Sequence, residues 1–160
     1  MTLTANDALS RYHLSISADP GGDGDLEINL VLTTRWLPRV GDTLNFDGPR
    51  GETLYVTVAQ VVFTYRSGAD DAGPEPEVEV HADVIENPVI RETARDLLDP
   101  VRLIEWAQAV HFVEAEPARQ LVVEACTEVG LDEDHWRTIT DWNDWAVEVR
   151  ARRAQTHETA

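Results

Sequence analysis

Five histidines, one cysteine and 30 carboxylates are the side chains that could move protons, bind metals or attack a substrate. The histidines, His13, His81, His111, His135 and His157, include no pair spaced i, i+4, so the helical two-histidine zinc pattern is absent. His81 shares the outward positions of one alternating run with Glu77, Glu79 and Asp83. That set could hold a divalent ion, but a solvated strand face of alternating acids gives the same pattern, and no metal is expected. Cys126 follows Val122 by one helical turn, which makes it a small buried hydrophobe; nothing beside it in sequence would activate the thiol. There is no Gly-x-Ser-x-Gly elbow and no glycine-rich phosphate loop. Set against a calcium loop, Asp19, Asp23 and Gly24 match positions one, five and six. Gly21 and Leu30 then fall where oxygen ligands are needed, so a plain hairpin loop is expected. With acids this abundant, no pair stands out as a hydrolytic dyad. No catalytic residue and no cofactor is expected.

The charge carries more information. All 13 cations are Arg, with no Lys, and the net charge is -17. Schiff-base and phosphate-loop lysine chemistry is excluded. The excess acid opposes binding to nucleic acid or to an anionic membrane. GC-rich codon usage and salt adaptation each give such a composition without any function. The acids are nevertheless clustered. Residues 66–86 hold Asp70, Asp71, Glu75, Glu77, Glu79, Asp83 and Glu86 against one Arg. Residues 114–134 hold Glu114, Glu116, Glu124, Glu128, Asp132, Glu133 and Asp134, again against one Arg. Such clusters act over about 8 Å at physiological salt and steer a basic partner. The candidate partner-binding residues are therefore Asp70, Asp71, Glu75, Glu77, Glu79, Glu128, Asp132, Glu133 and Asp134.

The elements that must position these residues change character near Asn87-Pro88. Before it apolar residues alternate; after it they recur every three or four positions. Five strands are expected in residues 1–86. Tyr12, Leu14 and Ile16 mark the first, Leu26 to Leu32 the second, and Leu44 with Phe46 the third. The fourth runs to Tyr65, and Val78 to Val84 form the fifth. In the fourth, Leu54, Val56 and Val58 are even-numbered but Val61, Phe63 and Tyr65 are odd. One extra residue near Ala59-Gln60, a β-bulge, returns both sets to the core and bends the strand. A small five-stranded antiparallel barrel-like part is the result expected.

Residues 87–154 read as three to five short helices packed on or beside the barrel, with 155–160 as a frayed tail. Asp99-Pro100 and Glu116-Pro117 read as helix starts, a capping carboxylate followed by Pro. Gly130 reads as a helix stop. Trp142, Trp145, Ala146 and Val149 form an inward stripe. The fold class expected is α+β.

One cysteine and a start, Met1–Ser10, without basic or apolar character suggest the cytoplasm. The function expected is that of a non-enzymatic acidic protein binding a basic protein partner, such as an immunity-type inhibitor of a toxin or nuclease. A structural subunit of a larger assembly, such as a phage or secretion particle, is the alternative. A small enzyme using its carboxylates and His81 ranks third.

Overall fold

The computed structural model describes residues 9–18, 27–65, 76–110, 112–132 and 141–158. Alternating apolar residues form strands β1 (Ser10–Ser17), β2 (Glu27–Thr34), β3 (Thr43–Asp47), β4 (Thr53–Thr64) and β5 (Glu77–Val84). Helices α1 (Pro88–Asp96) and α2 (Pro100–Ala109) follow, then a short strand β6 (Val113–Ala115), helix α3 (Arg119–Glu128) and helix α4 (Trp142–Glu158). The fold is α+β, as composition and periodicity predict.

The sheet departs from a closed five-stranded antiparallel barrel. It has six strands in the order β3-β4-β5-β1-β2-β6, curled into a half-barrel. It is also mixed, because β1 lies parallel to β5, with His13 opposite Glu79 and Ser17 opposite Asp83. The reason is connectivity. β2 and β3 are consecutive in sequence yet stand at fifth and first place in the sheet, so β1 takes its second neighbour from β5. Residues 35–42 cross between those places. Four strand spacings of about 4.8 Å make roughly 19 Å, within the reach of an eight-residue link. The link thus spans the mouth of the half-barrel at one end, and Leu37 packs against the core there.

The bulge is where the change of parity requires it. Val58 pairs with Ala82 and Gln60 with His81, which leaves Ala59 as the extra residue. Beyond it Val61 faces Val80 and Phe63 faces Val78, on the inward side. Inward register does not bring full burial: Val61 is half-buried, and Phe63 and Tyr65 are exposed. The strand outruns the helices that cover the rest of the concave face.

Alternation on both sides of the curl builds one core from Leu14, Ile16, Leu30, Leu54, Val56 and Val80, closed by Ala94 and Leu97 of α1 and Leu103, Trp106 and Ala107 of α2. Trp106 meets Phe46 edge-on at 5.7 Å, the geometry an aromatic quadrupole favours. The other side of α2, Val101 and Ile104, enters a second core with Val122 and Cys126 of α3 and Trp145, Ala146 and Val149 of α4. Helix α2 is therefore a middle layer between sheet and outer helices.

Local chemistry sets the helix ends. Asn87 Oδ1 accepts from Val89 and Ile90 N–H ahead of α1, and Asp99 Oδ1 accepts from Val101 N–H ahead of α2, each followed by Pro. Gly130 stops α3 with φ 75°, in the left-handed region where glycine meets no Cβ penalty. Leu131 N–H then bonds Cys126 C=O at 2.8 Å, and Gly130 N–H bonds Thr127 C=O at 3.2 Å. This pair of bonds satisfies carbonyls the helix leaves free. Glu116-Pro117 does not start a helix. Glu116 N–H bonds Asn29 C=O at 2.9 Å, which ties this residue to the edge of the sheet, and α3 begins only at Arg119 with no side-chain cap. Helix α4 starts behind Asp141, whose Oδ1 accepts from Asn143 N–H, and continues past Ala154 to Glu158.

Candidate functional site

Strand alternation sends one set of side chains away from both cores. On β1 these are Arg11, His13, Ser15 and Ser17; on β5 they are Glu77, Glu79, His81 and Asp83. All are half-buried or exposed. The register continues this open face onto β2 and β6, where Ser17 faces Glu27, Val31 faces Glu114 and Glu116 lies beside Asn29. Six carboxylates, Glu27, Glu77, Glu79, Asp83, Glu114 and Glu116, thus share the face with Arg11 and two histidines.

Ion pairs on the face include some of these acids. Arg11 Nη2 lies 4.0 Å from Glu114, His13 Nδ1 3.4 Å from Glu116 and His81 Nε2 3.8 Å from Glu79. The first two pairs reach diagonally over β2, between which stands Val31, only 2% exposed although it points outward. Ion pairs this exposed contribute about 0–1 kcal/mol each. Around His13, Ser15, Asn29, Glu79, His81 and Glu116 the face dips into a hollow of about 210 Å³. Among the described residues no group of three or more His, Cys, Asp or Glu is arranged to hold a metal ion.

The expected partner-binding acids fall in two separate layers. Glu77 and Glu79 stand on the open sheet face. Glu128 lies at the end of α3 with Arg153 Nη2 at 3.8 Å, and Asp132 is exposed just beyond the Gly130 stop. Asp70, Asp71, Glu75, Glu133 and Asp134 lie outside the described residues, as do the Asp19–Asp25 turn, His111 and His135. Sequence reasoning missed Glu114 and Glu116 as companions of His13 and Glu79. The alternation of Arg11 and His13 marks them as outward, but only the β2–β6 pairing brings the two glutamates to them.

The remaining residues with chemical potential are structural. Cys126 is buried and accepts a hydrogen bond from Trp145 Nε1 at 3.4 Å, as its place on an apolar helix face predicts. Trp145 is 1% exposed, whereas Trp142 is 37% exposed and stands perpendicular to it with ring centres 5.7 Å apart. Trp142 therefore sits at the rim of the stripe and not inside it, because it occupies the first turn of α4, ahead of the layer formed by α2 and α3.

Two groups among the described residues have displaced proton affinity. Burial raises the Tyr12 phenol above its ordinary value, partly offset by a hydrogen bond with Thr34. The hydrogen bond to Asp99 raises the Arg153 guanidinium, with burial opposing and the charges of Asp99 and Glu128 assisting. Neither belongs to the open face. No helix among the described residues is long and apolar enough to cross a membrane. No protein-family model matches this chain, nor does any curated protein or solved structure.

Proposed function

We propose that this chain is a non-enzymatic interaction protein that receives a basic protein partner on the open face of its sheet, as an immunity-type inhibitor of a toxin or nuclease does. The observation that carries this reading is the uncovered face itself. Glu27, Glu77, Glu79, Asp83, Glu114 and Glu116 share with Arg11 a surface on which the side chains of β1 and β5 are half-buried or exposed. Among the described residues helices pack on the concave side alone, which leaves an anionic platform on the other face. A partner rich in Arg and Lys gains both steering and charge pairing there.

The test compares the wild-type chain with a Glu77→Gln/Glu79→Gln/Asp83→Gln variant as bait in lysate of the native host, at low and high salt. Captured proteins of high isoelectric point, lost both in the variant and at high salt, support the reading. Capture indifferent to salt and to the three substitutions overturns it.

A further inference from the structure

The end of the half-barrel crossed by residues 35–42 has the opposite character to the rest of this acidic molecule. Arg35, Trp36, Arg39, Val40, Val61 and Phe63 line one groove of about 520 Å³, and no carboxylate is in its wall. Trp36 is 80% exposed, Val40 66% and Phe63 48%. Large apolar side chains clustered on a surface mark an interaction site more often than scattered ones do. The two guanidiniums have no ion-pair partner among the described residues, although the chain holds 30 acids. The groove also flanks an unfinished sheet edge. Strand β3 stops opposite Thr57, and the last backbone bonds on that side join Val58 to Gly41 and Asp42 at 2.8 Å. From Gln60 to Thr64, β4 is paired with β5, and no other strand among the described residues flanks it.

We infer that this groove binds an extended, acidic, apolar segment of another protein, which adds as a strand along residues 60–64. Main-chain groups of the open edge supply hydrogen bonds, and alternate side chains of an added strand fall on one face. Apolar side chains facing the groove meet Trp36, Val40 and Phe63, while carboxylates on that same face, two residues along, meet Arg35 and Arg39. Charge complementarity selects this occupant. Two guanidiniums without an ion-pair partner among the described residues match a peptide with a few carboxylates, whereas a nucleic acid, with a phosphate at every residue, is repelled by a net charge of -17. A second copy would set the same arginines against each other across a two-fold axis. The inference does not rest on the acidic face, and the two surfaces test independently.

The experiment selects a peptide display library on the full chain and counter-selects it on an Arg35→Glu/Arg39→Glu variant shown to be folded by circular dichroism. Recovered peptides are expected to combine Val, Ile or Phe with at least one Asp or Glu two residues away, on the same strand face. They should bind the double variant at least about tenfold more weakly, or about 1.4 kcal/mol, and a Phe63→Ser variant more weakly as well. Backbone amide shifts on binding should centre on residues 60–64. Basic peptides among those recovered, no enrichment over the double variant, or preferential binding of oligothymidylate each overturn the inference. So does a dimer in sedimentation velocity that Trp36→Asp abolishes.

Discussion

His13 and Glu116 face each other at 3.4 Å across the width of strand β2, joining the first strand of the sheet to the residue that follows its last. Beside them Arg11 reaches Glu114 in the same direction. Strand β6 pairs with β2 through only three residues, and these side chains supplement that pairing and the packing of Val113 and Ala115 on the core. Exposed pairs add little to global stability, at most about 1 kcal/mol each. A Glu114→Ala/Glu116→Ala variant should therefore unfold within about 2 kcal/mol of wild type. Its Glu116 amide, bonded to Asn29, should nonetheless exchange faster while β1 and β5 amides keep their protection. Hydrogen exchange read residue by residue checks this; unchanged protection at Glu116 counts against it.

Asp99 does two jobs in one place. It caps α2 through Val101 N–H at 3.1 Å and receives Arg153 from α4 at 2.7 and 3.3 Å. Loss of a cap costs about 0.5–2 kcal/mol, and a charge-assisted pair that is three-quarters buried adds to it. Asp99→Ala should lower the urea unfolding free energy by about 2–3 kcal/mol. Asp99→Asn keeps the cap and should lose the smaller part, which separates the two contributions.

Trp145 is the largest of the fully buried side chains, and its indole N–H donates to Cys126 Sγ. Truncation to Ala should cost about 3–5 kcal/mol, enough to detach α4 from α2 and α3. Cys126→Ala removes only a small acceptor and should cost about 1–2 kcal/mol. The native thiol should resist a disulfide reagent until the chain unfolds. Rapid labelling of the native protein would contradict the burial of Cys126.

The raised proton affinity of Tyr12 makes an alkaline prediction with a definite sign. The phenol holds its proton more tightly in the fold than in the unfolded chain. Its contribution is therefore complete below the unfolded value near 10 and declines as the pH rises above it toward the folded value. Wild type should lose stability more steeply above pH 10 than Tyr12→Phe, and the two curves should run parallel at neutral pH. Equal slopes in alkaline chemical denaturation would remove the effect.

Short-range signals in the sequence map onto the structure closely. Asp99-Pro100 and Gly130 fix helix ends through bonds between near neighbours, and the parity change from Val58 to Val61 locates the extra residue at Ala59. What the sequence does not announce is non-local. β6 is three residues long, too short for alternation to declare it, and Glu116 resembles a cap because it precedes Pro117. The parallel β1–β5 pairing depends on where the 35–42 link goes, which no local pattern encodes. Inward register at Phe63 and Tyr65 suggests burial, yet nothing among the described residues packs far enough along β4 to provide it. For the candidate site, Glu77 and Glu79 were legible as outward acids. Their neighbours from β6 were not.

The parallel contact between residues 13–17 and 79–83 also constrains how the molecule is made. During synthesis β1 can form a hairpin with β2 at once, but its other flank stays vacant until β5 has left the ribosome. Contacts so distant in sequence require costly loop closure before they are rewarded, which slows folding. The nascent chain therefore carries an unsatisfied central strand through much of its elongation, a window in which chaperones or neighbouring chains have access to it.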